Sequence, residues 1–446
     1  LSRPRLLRSS HDAMIGTNPY HYIMTDKTAL EAEDASALAP NDHRRLGQEL
    51  GLFTFSDLVG SGLPLWLPKG ATVRRILERY IVDTEIAWGY QHVYTPDIAK
   101  LDLYKTSGHY PYYKDSMYAP IQIDEHEFML RPMTCPHHFQ VYADRPKSYR
   151  ELPLRIAELA KLYRYEGSGE LSGLVRVRSF CLADAHIICA DKDQAASEIS
   201  MALDLIEHVS SVFGLTLGTD YSYRLSLGDR ADDKKYYKND TAWDEGEAML
   251  REVLKNRGGA FVEATGEAAF YGPKIDIQMK DARGKENTAF TVQYDFCMPD
   301  RFNLTYIDKD GSEKRPVVVH RSSIGAIERV IAFLIEHYAG AFPTWLAPVQ
   351  VVVLPVGGGH HEYGKSVVES LLQAGLRAEL DASDESLGKR IRKAKMEKVP
   401  YLMVVGDKEI ESQTVSLEKR GEGPLGSQSV AEAVARITAE VTEKKS

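Results

Sequence analysis

The sequence has only four cysteines, Cys135, Cys181, Cys189 and Cys297, and no two of them form a CxxC pair. That excludes a disulfide framework and the paired-cysteine zinc modules, and it fits a reducing compartment, so a cytoplasmic location is expected. No apolar run approaches the ~18 residues of a bilayer-spanning helix, so no membrane partner is expected. Positive charge is not in excess: 55 Lys and Arg against 64 Asp and Glu leave a formal net charge of -9. Such a chain does not coat nucleic acid nonspecifically, although a local basic patch remains open to it. There is no GxxxxGK[ST] loop and no strand-linked GxGxxG, so the usual phosphate cradles are missing. The GGG at 357–359 runs into His360, His361 and Glu362, which does not fit a dinucleotide turn. Internal repeats and low-complexity tracts are also absent.

What is present is an ordinary globular composition, 43% hydrophobic and 27% charged, over 446 residues. Single cores stop growing below that length, so two or more domains are expected. Residues 1–41 read as an irregular leader punctuated by Pro4, Pro19 and Pro40. Its first ten residues, LSRPRLLRSS, carry three arginines and no acid, which fits an organellar targeting segment or a disordered leader. From Asp42 the chain reads as folded. Val73, Ile76, Leu77, Tyr80, Ile81 and Thr84 follow helical spacing, closed by Gly89 and followed by a short strand ending at Pro96.

Further strands are predicted at 127–133, 159–166, 175–180, 185–190, 275–279, 290–296 and 315–322, and helices at 193–213, 241–257 and 323–339. Strands that follow one another without intervening helices predict an α+β domain over 42–347, an antiparallel sheet flanked by helices. After FPTWLAP (342–348) strand and helix alternate at short spacing, which predicts a smaller α/β domain over 348–446.

Three short segments carry metal-binding chemistry: MTCPHH (133–138), DAH (184–186) and VVVHR (317–321). One cysteine and two histidines from separate strands can make a three-ligand zinc site with a fourth position for substrate. With 14 histidines in the chain, satisfied core or surface histidines are the ordinary alternative. In LYRYEG (162–167), Arg164 and Glu166 lie two apart, on one face of a strand. The guanidinium suits a phosphate oxygen and the carboxylate an adenine amino group; a solvated ion pair is the alternative. Arg329 sits among Ile327, Val330 and Ile331 on an apolar helix, so it must face a cavity or an anion.

The order and wording of these segments resemble one family. From DHRRLGQELGLF (42–53) onward, the chain is similar to class II aminoacyl-tRNA synthetases, and specifically to the threonyl-tRNA synthetase family. The segments that carry the resemblance are TSGHY (106–110), LRPMTCPHH (130–138), LYRYEGSGELSGLVRVRSF (162–180), DAHIIC (184–189), AFYGPKID (269–276), TVQYDF (291–296) and VHRSSIGAIERVIAFLIEHYAGAFPTWLAP (319–348). The resemblance implies activation of L-threonine with ATP and transfer of threonyl to tRNA(Thr). It implies that Cys135, His186 and His320 hold one Zn2+, and that Asp184, Tyr271 and Lys274 bind threonine.

On the nucleotide side it assigns Arg164 to the α-phosphate, Glu166 to the adenine amino group and Arg176 to the γ-phosphate. Phe180 and Arg329 would sandwich the base, with Mg2+ accompanying ATP. His109 and Gln293 match positions near the tRNA terminal sugar; for His109 a surface loop histidine is the equal alternative. SLGKRIRKAKMEK (386–398), with Lys389, Arg390, Arg392, Lys393 and Lys398, matches an anticodon-binding segment, as does Glu409. The class framework implies a homodimer built through the helix and strand ending at Pro96.

The chain departs from the family pattern at Cys181, Leu182 and Ala183, at Thr288 and Phe290, and at Asp384, Lys398 and Glu418. The last three bear on RNA reading, because a carboxylate at 418 repels RNA. The 41 residues ahead of the core cannot hold the N-terminal editing module that the family often carries. Two alternatives stand beside the leading reading: a synthetase-like paralogue that activates threonine for a non-tRNA acceptor, and a non-catalytic RNA-binding relative. The complete Arg164, Glu166, Arg329 and metal set speaks against the second.

Overall fold

Strand alternation organises this molecule, and it is legible in KIDIQM and TVQYD, where polar and apolar residues trade places at every step. In the computed structural model, which describes residues 38–445 except Asp233, these segments become neighbouring strands of one sheet. The irregular reading of residues 1–37 lies outside the described residues.

The first helix is α1 (His43–Glu49), capped by the Asp42 carboxylate, which accepts the Arg44 N–H. Then comes α2 (Pro68–Ala87), with Pro68 in its first turn, where a missing N–H does no harm. It buries Val73, Leu77, Tyr80 and Ile81, as the spacing predicts, and also Glu85. After β1 (Gln91–His92) and α3 (Leu101–Ser107) come α4 (Cys135–Tyr142), β2 (Leu154–Tyr163), β3 (Ser179–Cys189) and α5 (Lys192–Val212). Further along this part come β4 (Tyr221–Leu227), α6 (Asp240–Asn256), β5 (Phe261–Thr265), β6 (Lys274–Lys280), β7 (Glu286–Asp295), β8 (Val317–Ala326) and α7 (Ile327–His337).

The eight strands lie in the order β5-β4-β6-β7-β8-β3-β2-β1. Only the outer pairs β5/β4 and β1/β2 are parallel; the inner strands are antiparallel throughout. One face is apolar: Ile275, Ile277, Phe290, Val292, Val319, Ala185 and Ile187 pack in one core with Ala195, Ile199, Ala202 and Ile206 of α5. Each fully buried aliphatic side chain contributes about 1.5–3 kcal/mol. The alternating residues of the opposite face include Asp276, Gln293, His320, His186 and Glu158, and this face carries the chemistry.

The C-terminal part has β9 (Val351–Pro355), α8 (His361–Gln373), β10 (Ala378–Leu380), α9 (Leu387–Met396), β11 (Tyr401–Val405), β12 (Thr414–Lys419), β13 (Gly423–Ser429) and α10 (Val430–Glu443). Its sheet runs β10-β9-β11-β12-β13, parallel across the first three and antiparallel across the rest. Val351, Val353, Leu371, Tyr401, Met403 and Ile437 form its own core. Arg420 ties it to the preceding part by donating to the Ala341 carbonyl at 2.8 Å, and Lys69 pairs with Glu397 at 2.7 Å.

The structure corrects four local expectations. The strands predicted at 175–180 and 185–190 are one, β3, and it begins only at Ser179. Residues 172–176 instead form a turn closed by reciprocal Ser172–Arg176 backbone bonds. The strand predicted to 166 ends at Tyr163, so Arg164 and Glu166 lie beyond β2 and are not two residues of one strand face. The helix predicted from 323 starts at Ile327, because β8 continues to Ala326 through a bulge between Ser322 and Ala326. Cys135 comes from the start of α4, so the three candidate ligands are not all on strands.

One buried ion pair holds α2 against the sheet. Arg321, 1% exposed, donates to Glu85 Oε1 at 2.5 Å and lies 4.0 Å from the centre of the Tyr90 ring. Burial alone would raise the Glu85 carboxyl; the Arg321 charge, with bonds from His92 and Ser323, outweighs it and holds the group below its ordinary value. Removing one partner strands a buried charge. Glu85→Gln is therefore expected to lower the unfolding free energy by about 3–5 kcal/mol in urea at neutral pH. Because the folded value is depressed, this contribution is full above the unfolded carboxylate value of about 4.3 and is lost as pH falls through the folded one. Unfolding measured across that acid range should fall less steeply in Glu85→Gln than in the wild type.

Candidate active site and metal centre

His186 on β3 and His320 on β8 are directly opposed in the antiparallel register. Directly paired residues share a face, so the two rings meet edge to face with centres 4.5 Å apart. Cys135, the first residue of α4, is lowered onto them from above the sheet, and the ligand atoms of the three residues lie within 4.8 Å of one another. All three are buried. The next row of the register adds Asp184 and Ser322, and a third strand places Gln293 beside His320. The cavity above these residues holds about 310 Å³ and extends from the triad to Arg164, Phe180 and Arg329.

The donor set suits zinc: one thiol and two imidazoles, with a recess for a further ligand. His320 Nε2 lies 2.7 Å from Asp295 Oδ2, and the other Asp295 oxygen accepts the N–H groups of Cys297 and Met298. A carboxylate only accepts, so the His320 proton sits on Nε2 and Nδ1 keeps its lone pair. Burial pushes the Cys135 thiol well above and the His186 ring well below their ordinary values. Asp184 is also raised, by burial first, with His138, His320 and the Thr134 hydroxyl pulling the other way.

Tyr271 stacks on His320 with ring centres 4.7 Å apart, and its hydroxyl donates to Gln293 Oε1 at 2.6 Å. Lys274 is tied to Asp276 at 2.9 Å and lies opposite Gln293 in the register, outside the residues that line the cavity. His109 is no surface histidine: it is fully buried, with Nδ1 on the Ser107 hydroxyl and Nε2 3.8 Å from Cys135 Sγ. Burial, with His320 and Arg164 nearby, drives its ring down to about 3, so it is neutral. The preceding Gly108 has φ +79°, and a Cβ there would lie 2.1 Å from the Arg301 guanidinium. That position must be glycine for His109 to turn inward.

At the other end, the Arg164 guanidinium lies 5.1 Å from the centre of the Phe180 ring. Arg176 does not stand free: it pairs with Glu166 at 2.8 Å and Glu170 at 3.1 Å. Arg329 is held by the carbonyls of Val175 at 2.9 Å and Thr288 at 2.6 Å. Its value falls to about 10, chiefly by burial and then by Arg164 and Arg176, so it stays a cation at neutral pH. Arg164 and Arg329 therefore face one cavity, which Glu166 also lines.

Leu182 lines the same cavity, between Phe180 and Asp184 on the inner face of β3, whereas Ala183 points into the core. Cys181 N–H instead donates to Glu328.

One further cluster, Asp42, His43 and Glu336, has no signal in the sequence. His43 Nδ1 meets Glu336 at 2.5 Å and its Nε2 accepts the Leu174 N–H at 3.1 Å, so both ring nitrogens are already used. This is a tie that braces the 172–176 turn against α1 and α7. Only contacts between residues far apart in sequence could have revealed it.

In the C-terminal part, α9 presents Lys389, Arg392 and Lys393 to solvent. Arg390 is a correction: it is 3% exposed, and its guanidinium donates to the carbonyls of Asp381, Glu385 and Pro355. It pins α9 to the sheet. Glu409 accepts the Gly406 N–H and the Ser416 hydroxyl. Lys398 takes a left-handed conformation, φ +60°, just past the end of α9. Glu418 is paired with Lys395 at 2.6 Å, so its charge is offset within the domain.

The bulge that carries β8 into α7 depends on Gly325, whose φ is +65° and whose Cβ would lie 2.1 Å from the Ala289 carbonyl oxygen. Gly325→Ala should cost roughly 1–3 kcal/mol in urea unfolding. It should also weaken any nucleotide held by Arg329, measured by calorimetry.

Comparison with known proteins agrees with this geometry. Residues 117–338 match the tRNA synthetase class II core domain (G, H, P, S and T), and residues 350–440 match the anticodon binding domain. The chain is 53% identical over 400 residues to a threonine–tRNA ligase of Halalkalibacterium halodurans and 52% identical over 400 residues to threonine–tRNA ligase 1 of Bacillus subtilis. Each alignment covers 90% of this chain but only 61% and 62% of those relatives, so the chain spans less than two thirds of their length. The crystal structure of the RNA binding domain of threonyl-tRNA synthetase from Cryptosporidium parvum superposes with a TM-score of 0.83 at 35% identity, covering 90% of this chain and 98% of that one. A prolyl-tRNA synthetase from the same organism, 14% identical with a TM-score of 0.66 and covering 90% of this chain and 76% of that one, shares the fold. With that identity and that coverage, the chain belongs to the threonyl-tRNA synthetase family of class II enzymes.

Proposed function

We propose that this chain is an ATP-dependent threonine–tRNA ligase: it joins L-threonine to AMP and then passes threonyl to tRNA(Thr). The observation that carries the reading is the opposed His186–His320 pair with Cys135 above it, in one cavity with Arg164 and Arg329. Residues 42–347 form the catalytic domain and 348–446 the anticodon-binding domain. Zinc held by Cys135, His186 and His320 would bind the amino and hydroxyl groups of threonine and select for that hydroxyl. Magnesium accompanies ATP.

The remaining work falls to side chains. Asp184, beside the triad, orients the substrate hydroxyl by accepting a hydrogen bond from it, and Tyr271 with Gln293 closes the adjoining wall. Arg164 and Arg329 draw the α-phosphate and the adenine ring toward Phe180, and they meet the negative charge that spreads over the phosphate in the transition state. For Glu166 and Arg176 to take the adenine amino group and γ-phosphate, their mutual ion pair must open, so ATP exchanges one set of charge contacts for another.

The threonine carboxylate attacks the α-phosphorus in line, a carboxyl–phosphate bond forms, and pyrophosphate leaves. A hydroxyl of the tRNA terminal adenosine then attacks the carbonyl carbon, and AMP leaves. His109 and Gln293 supply neutral hydrogen-bonding groups near that sugar.

A site that must bond a hydroxyl rejects valine on the order of 10⁴-fold, while serine retains that hydroxyl and is excluded poorly. ATP–pyrophosphate exchange should therefore proceed with threonine and serine but not with valine. Cys135→Ala should lose both zinc and exchange. Activation of valine at the threonine rate, or a Cys135→Ala protein with unchanged metal and activity, would overturn the reading. Exchange without charging of tRNA would favour the paralogue with a different acceptor.

The subunits pair through the segment around Tyr94, which is 95% exposed beside Thr95 and Pro96. Tyr94→Arg should convert a dimer to a monomer in sedimentation, and a monomeric wild type would remove that part of the proposal.

A further inference from the structure

The structure assigns Glu158 and His138 as positioning residues for the metal: acting through His138, Glu158 selects the His186 tautomer whose Nε2 is free for the ion. The inference rests on the metal reading of Cys135, His186 and His320. His138 sits one helical turn after Cys135 on α4, so a single helix delivers a ligand and the support for another. Its Nδ1 lies 2.8 Å from His186 Nδ1, and its Nε2 lies 3.3 Å from Glu158 Oε2. His138 is fully buried and Glu158 is 2% exposed.

Proton counting fixes the direction of this chain. The Glu158 carboxylate is held by the Arg131 guanidinium at 3.0 Å and by the Thr95 N–H and hydroxyl at 3.2 and 2.7 Å. It can only accept, so the His138 proton is on Nε2 and Nδ1 carries a lone pair. That lone pair faces His186 Nδ1, which must then be the donor. The His186 proton is thus consumed on Nδ1, and Nε2 presents its lone pair to the cavity. The reverse arrangement would aim an N–H at the cation and remove a ligand.

His320 reaches the same end in one step, through Asp295. The two histidines are backed by carboxylates on opposite sides of the site. The His186 branch is longer because Glu158, on β2, lies opposite Asp184 and one row away from His186.

Supporting groups of this kind are worth about 10–100-fold in metal affinity. The test measures zinc affinity by competition with a chromophoric chelator, using the full chain. His138→Phe keeps a ring but removes the acceptor, and it should weaken zinc about 10–100-fold. His138→Gln offers an amide oxygen to the His186 N–H and should restore a substantial part of the loss. Glu158→Gln should weaken zinc by roughly 10-fold, and it carries the test if His138→Phe does not fold.

Tight zinc in the wild type together with unchanged affinity in Glu158→Gln and His138→Phe would overturn the relay while leaving the metal site standing. If His138→Gln holds zinc no better than His138→Phe, the tautomer assignment is wrong. A wild type that binds no zinc removes the metal reading and the relay together.

Discussion

Everything on the chemical face of the sheet hangs on one antiparallel register, the one that sets His186 opposite His320. A slip of either strand by one residue would turn its histidine into the apolar core and bring Ile187 or Val319 to the cavity. The same register then propagates sideways: His320 opposes Gln293, Gln293 opposes Lys274, and Asp184 opposes both Ser322 and Glu158. Rows of side chains across five strands become the floor of one site. What pins the register is the other face, where Ile187, Val319, Val292 and Ile275 must stay in contact with α5.

A sheet face this polar is expensive to bury, and several of the charges that it removes from water are paired. Asp295 answers His320, Arg131 and Thr95 answer Glu158, and Lys274 answers Asp276, while on the opposite face Arg321 answers Glu85. Among the described residues, Arg164 and Arg329 line the cavity without an ion pair to a carboxylate. Arg329 is restrained only by neutral carbonyls, so its positive charge is available to a phosphate or an adenine ring. Arg176 is different: it is in an ion pair with Glu166.

The C-terminal domain shows why a run of basic residues is a poor guide by itself. Along α9, Arg390 faces inward and holds the helix to the sheet through three backbone carbonyls, while Lys389, Arg392 and Lys393 remain outside. Helical periodicity separates them: position 390 shares its face with Ala394, which is buried as well. Glu418 looked hostile to RNA in the sequence, but Lys395 partners it across the domain surface.

Much of the architecture was legible in order and periodicity alone. The alternation in KIDIQM and TVQYD marked a two-faced sheet, and the spacing from Val73 to Ile81 marked α2, because side-chain period is a local property. Cys135, His186 and His320 stood out through their motif context, yet the sequence placed all three on strands and put Arg164 and Glu166 on one strand face. Tertiary structure decided otherwise: α4 begins at Cys135, and β2 stops at Tyr163. It alone also revealed that His109 is buried against the Cys135 thiol, that Arg390 is structural, and that Glu158 reaches His186 through His138. Each of these joins residues distant in the chain or settles which way a side chain turns. The sequence by itself determined which chemistry was available and which periods the backbone would follow. Only the packed sheet, by fixing register and burial, decided which of those groups meet.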